Sequence, residues 1–189
     1  MTYEQALISA REEAYALGER LHGKLLHSDN RSRVALGCFA VAQQHCSGII
    51  ILLSQPLPLQ ATAFTLLRPL AEAVFRGLWV ANCATDDKVA NILTGHKKQI
   101  DTATIIRELI AAFGQSEKHP EFYKRVWPTL SAYSHTYEKS LESWLMGQDI
   151  ELKYTEKELL SLLSKIKHSA QLIEAGVMAL LTQPAHQTK

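Results

Sequence analysis

Arg68, Glu72 and Arg76 recur at four-residue steps inside Thr62 to Asn82, TAFTLLRPLAEAVFRGLWVAN, a segment otherwise apolar nearly all round. Two guanidiniums oriented by a carboxylate between them would offer forked N–H donors to a phosphate or carboxylate. At about 100° per residue, a helix gathers Thr65, Arg68, Glu72, Arg76 and Trp79 into a stripe of about 80°, with Ala63, Leu67, Leu70, Val74 and Leu78 opposite. Trp79 then stands as a stacking surface beside the arginines. A structural description fits the same residues: the ladder neutralises all but one positive charge, and buried charges are paired because desolvating one alone is costly. His135, in Tyr133-Ser134-His135-Thr136, can supply a proton-transfer group, since imidazole titrates near neutrality. A histidine that is merely solvent-facing or hydrogen-bonded reads the same way. His45, between Gln44 and Cys46, has the setting of a core histidine and is a further lining candidate together with Tyr133.

Other chemistries find no support. There is no phosphate-cradling G-x-x-x-x-G-K-[ST], no dinucleotide G-x-G-x-x-G, no H-E-x-x-H and no nucleophile-elbow glycine pattern. The eight histidines are scattered without metal-ligand pairing, so neither a metal nor a cofactor is expected. Lys and Arg number 20 against 19 Asp and Glu. That balance gives no global positive field for nucleic acid or an anionic membrane, so any anionic partner must be held by a local patch. Cys38, Cys46 and Cys83 are odd in number and lack C-x-x-C spacing, which suits reduced thiols filling a core. The N-terminus, MTYEQALISAREEAY, has no basic region followed by an apolar one. Val34 to Leu53 is long enough to span a bilayer, but Gln43, Gln44 and His45 sit at its centre, where polar groups are costly in lipid. A cytoplasmic protein with no membrane partner is the expectation.

Helices must position these residues. Thr2 and Gln5 form a capping box for a first helix reaching about His27. Ser28, Asp29 and Asn30 make a turn before a second helix over Ser32 to Leu53, on which Gly37, Val41, Gln44 and Gly48 share a face that another helix can approach closely. Gln55-Pro56-Leu57-Pro58 ends it. Pro69 cannot donate to the carbonyl of Thr65, so a kink or boundary is predicted beside Arg68. A fourth helix is predicted from about Asp86 to Ala112, with an exposed or irregular GHKKQ stretch in its middle. A loop over 114–120, a short helix over Glu121 to Trp127 and a helix opening at Pro128-Thr129 with His135 on its polar side come next. After a linker over Met146 to Tyr154, Thr155 and Glu158 make a second capping box for the last helix, which Pro184 closes. The prediction is an all-α bundle of five to six helices, one domain over 1–183, with a loose tail over 184–189.

The runs RSRVALGCFAVAQQH and ATAFTLLRPLAEAVFRGLWVANCAT, followed by W-x-x-L-x-x-Y-S-H-T at Trp127 to Thr136, resemble a bacterial family of about this length classed only as a domain of unknown function. Leu67 to Trp79 match its helix L-R-P-L-x-E-x-x-x-R-G-L-W. Tyr133 to Thr136 match a later Y-T-H-T, with Ser134 in place of threonine. The resemblance covers most of residues 31–136. That family's helical character is similar to that of the HEPN superfamily, which implies an HEPN-like homodimer and, in many members, a metal-independent ribonuclease of defence or toxin systems. There an R-x(4 to 6)-H pair supplies both the phosphate-stabilising arginine and the histidine. Arg20 and His27 match that spacing on the first helix, whereas Arg125 and His135 lie too far apart.

Two functions follow as expectations. In one, RNA is cleaved, with His135 as acid or base, Arg68 and Arg76 stabilising phosphate charge and Glu72 orienting them. In the other, a non-catalytic helical dimer holds a small anionic ligand or a protein regulator at Arg68, Arg76, Trp79, Tyr133 and His45.

Overall fold

The computed structural model describes residues 1–23, 29–95, 100–113 and 154–182. Every regular element among them is a helix: α1 (Tyr3–Leu21), α2 (Asn30–Leu53), α3 (Gln60–Thr65), α4 (Leu67–Asn82), α5 (Asp86–Thr94), α6 (Thr102–Phe113) and α7 (Glu156–Thr182). The helices expected between 121 and 145, with Tyr133 and His135, lie outside the described residues, as does the tail over 184–189.

Local chemistry sets the boundaries. Thr2 accepts the Gln5 N–H at 3.3 Å while Gln5 accepts the Thr2 N–H at 3.0 Å, closing the predicted box. Thr155 and Glu158 do the same for α7. Asp29 caps α2 by accepting the N–H and the hydroxyl of Ser32 at 3.0 and 2.7 Å. α1 stops at Leu21, short of the expected His27, and Gly23 follows with φ of +69°.

Two expected helices are each divided. The central one breaks at Leu66, which ends α3 and begins α4, as Pro69 requires. Arg68, Glu72 and Arg76 therefore all stand on α4, and Arg68 sits in its first turn. The helix expected from Asp86 to Ala112 is two. Gly95 closes α5 in the left-handed region at φ +65°, its N–H reaching the Asn91 carbonyl. Asp101 then opens α6, accepting the N–H and hydroxyl of Thr104, each at 2.9 Å.

α2 is the spine. It runs antiparallel to α4, its most extensive neighbour, so that Arg31 reaches Val80 near one end and Gly48 faces Leu66 near the other. Phe39 projects from α2 into the junction with α4 and α7. A methyl added at Gly77 of α4 would lie 2.6 Å from its ring, and one added at Gly176 of α7 would meet the same ring even more closely. Both glycines are there because only a hydrogen fits. α7 also zips to α1 at the surface: Arg20 binds Glu174 through two N–H donors at 2.6 and 2.9 Å, and Lys167 sits 3.2 Å from Glu13. Exposed pairs of this kind contribute little individually and weaken with salt.

Candidate functional site

On α4 the predicted ladder is only half closed. Arg68 donates through Nε to Glu72 at 3.0 Å, and both side chains are about a third exposed, 31% and 36%. Glu72 pairs backward along the helix, toward the orientation that the macrodipole favours less. Arg76 is half-buried, and among the described residues it meets no carboxylate at ion-pair distance. Its charge reaches α2 instead. Burial pushes the Cys38 thiol up, and the Arg76 guanidinium opposes that rise. Arg76 is thus a cation partly withdrawn from water, with its forked donors uncommitted to any acid among the described residues.

His45 stands two turns beyond Cys38 on the same side of α2. It is half-buried, and burial lowers its pKa below the ordinary histidine value, so it is neutral at pH 7. Cys46, beside it in sequence, is fully buried with its thiol pushed up to about 12, which leaves it an inert core group.

Trp79 departs from its expected role. It is 0% exposed, so its ring presents no face to a ligand. Its indole N–H donates to Glu108 of α6 at 2.6 Å. Lys88 of α5 closes the arrangement, donating to both oxygens of Glu108 at 2.9 and 3.1 Å and lying 5.4 Å from the Trp79 ring centroid. A buried indole needs an acceptor, which is why one carboxylate ties α4, α5 and α6 together. Arg31 does similar work at the other side of α4's end, donating to the Val80 carbonyl at 2.8 Å and to Asp86 of α5 at 2.7 Å. Neither Glu108 nor Arg31 stood out in the sequence. A buried tryptophan predicts an acceptor, but which residue supplies it is decided by the α4–α6 packing.

The Glu108 clamp makes acid sensitivity predictable. Lys88 and then the Trp79 N–H hold its pKa below the ordinary glutamate value of 4.5. A carboxylate depressed on folding stabilises the fold above its unfolded pKa, and the contribution is lost as pH falls through the folded value. Stability to urea should therefore decline below about pH 4.5, and Glu108→Gln should flatten that decline.

A separate open cleft of about 530 Å³ lies between α1 and α2, lined among others by Arg11, Tyr15, Gln43, Ser47 and Gln55. None of Arg68, Glu72, Arg76 or His45 borders it. Of the expected site residues, the structure pairs Arg68 with Glu72, sets Arg76 against the Cys38 side of α2 and encloses Trp79. Tyr133 and His135 lie outside the described residues.

No curated protein and no solved structure matches the chain. A family model does match, over residues 39–187, which takes in α2 from Phe39 onward and all of α3 to α7. The chain belongs to that family of unknown function, DUF6988.

Proposed function

We propose that the Arg68–Arg76 face of α4 binds an anionic group, that the anion is an RNA phosphate, and that the fold is HEPN-like. The observation that carries the reading is Arg76, half-buried and without a carboxylate among the described residues while its neighbour Glu72 is taken by Arg68. A guanidinium in that state gains more from a phosphate than a fully hydrated one does, because part of its desolvation cost is already met in the fold. Arg68 adds a second cation, and Glu72 fixes its fork.

Cleavage rests on the resemblance of Tyr133 to Thr136 to a Y-T-H-T pattern. In this reading His135 takes the proton of the ribose 2′-hydroxyl, the 2′-oxygen attacks phosphorus, and the bond to the 5′-oxygen breaks as that oxygen takes a proton from solvent. Arg76 stabilises the charge on the non-bridging oxygens. The near-neutral charge of the chain and the closed Arg68–Glu72 pair favour the other reading, a helical module that holds a small anion or a regulator protein without chemistry.

The two separate in one assay. A mixed RNA pool is incubated with EDTA and wild type, His135→Ala or Arg76→Ala, each verified as folded by circular dichroism. Catalysis predicts that wild type cleaves and that each variant loses activity by about 100-fold or more. Cleavage that survives in His135→Ala removes the catalytic assignment. Silent wild type that still binds labelled RNA, with binding lost in Arg76→Ala, selects the non-catalytic module.

A further inference from the structure

The cleft between α1 and α2 is bordered on its α1 side by three residues at four-residue steps, Arg11, Tyr15 and Glu19. On the opposite flank of α1 the charges are paired across to α7, Arg20 with Glu174 and Lys167 with Glu13. Arg11 and Glu19 differ: among the described residues neither meets a charge of opposite sign. Three of the last four carbonyls of α2, which ends at the same cleft, are satisfied without Arg11. Ile50 and Ile51 accept the Ser54 N–H, Ile51 also accepts the Gln55 amide at 3.0 Å, and Leu52 accepts the Leu59 N–H at 3.0 Å. A guanidinium and a carboxylate thus border one cleft about 12 Å apart along α1, and neither is spent within the fold.

The space between them is mixed in character. Tyr15, midway between the two charges, is 72% exposed, and Ile51 on the facing helix is 59% exposed. Gln43 and Ser47 of α2 are half-buried in the same cleft and make no side-chain hydrogen bond among the described residues. Both groups donate and accept. Gly18 makes room for the Gln43 amide, since a methyl there would lie 3.2 Å from its Nε2. At about 530 Å³ the cleft has the size of a ligand site.

We propose that this cleft binds an extended segment of a partner protein in which an acidic residue, an apolar or aromatic residue and a basic residue alternate with two others. Alternate side chains of an extended chain point the same way at intervals of about 6.6 Å. Arg11, Tyr15 and Glu19 recur along α1 at about 6 Å, so the two periods stay in step over five residues of peptide. The acidic side chain meets Arg11, the central one packs on Tyr15 and Ile51, and the basic one meets Glu19. Peptide N–H and carbonyl groups between them find the Gln43 amide and the Ser47 hydroxyl. The site is separate from the Arg76 face and does not rest on it.

Fluorescence anisotropy of labelled peptides with capped ends tests it on the full chain. Lys-Ser-Phe-Ser-Asp or its reverse, Asp-Ser-Phe-Ser-Lys, should bind wild type saturably, about fivefold more tightly than Lys-Ser-Phe-Ser-Lys or Asp-Ser-Phe-Ser-Asp. Arg11→Glu should transfer the preference to the dibasic peptide and Glu19→Arg to the diacidic one, with unchanged helicity because both positions are exposed. Tyr15→Ser should weaken binding of every peptide that contains Phe. Wild type that binds neither mixed-charge peptide overturns the proposal, including one captured by phosphatidylserine vesicles instead. So does binding whose charge preference is the same in Arg11→Glu and Glu19→Arg as in wild type.

Discussion

Phe39→Ala is expected to lower stability by about 3–5 kcal/mol, read as a shift of the urea midpoint without a change of slope. The ring is 2% exposed and is the one side chain that both Gly77 of α4 and Gly176 of α7 were emptied to admit. Little can collapse into the space, since two of its walls are backbone. The reciprocal experiment identifies the mechanism. Gly77→Ala should cost about 1–3 kcal/mol by overpacking, and less in a Phe39→Leu background, where the ring is gone. Equal costs in both backgrounds would mean that Gly77 serves backbone freedom instead of the close approach. Because Phe39 fixes α2 against α4, these variants should also loosen the Arg76 environment, which links the core to the site.

Trp79→Ala should be of similar size, about 3–5 kcal/mol, and for two reasons. It empties a fully buried volume and deprives Glu108 of the indole N–H. Trp79→Phe separates them: most of the volume returns, and the residual loss reports the hydrogen bond, about 1–3 kcal/mol if the carboxylate stays without that donor. Were Trp79 a ligand-stacking residue, Trp79→Phe would instead change ligand affinity at nearly unchanged stability. Measuring both quantities on one protein decides between the roles.

Much of this architecture is legible from local signals. The capping boxes at Thr2 and Thr155 mark the starts of α1 and α7 because each side chain there bonds only within its own first turn. Pro69 marks the break at Leu66 because a missing N–H acts four residues back. What escaped is non-local or ambiguous. Gly95 sits inside an apolar pattern that continues on either side, so the periodicity runs through a left-handed cap that divides it. Trp79 lies within the polar stripe by angle, between Arg68 and Glu72, but a wheel does not tell whether a neighbouring helix covers that position. α6 does, with Glu108. The ladder itself was visible as Arg68, Glu72 and Arg76. Which arginine Glu72 would choose was not, since both are four residues away, and that choice leaves Arg76 without a carboxylate among the described residues.

In the proposed site Arg76, with Arg68 beside it, receives an anion. The most direct test is to follow the arginine side-chain Nε–H resonances of isotope-labelled protein by NMR while titrating inorganic phosphate and, separately, a short RNA, with assignments from Arg76→Lys and Arg68→Lys. A saturable shift of the Arg76 signal is expected, with a smaller one for Arg68, whose Nε already donates to Glu72, and a tighter response to RNA than to phosphate. An Arg76 signal that stays in place under both titrations, or that moves no more than the exposed Arg11 and Arg33, would contradict it.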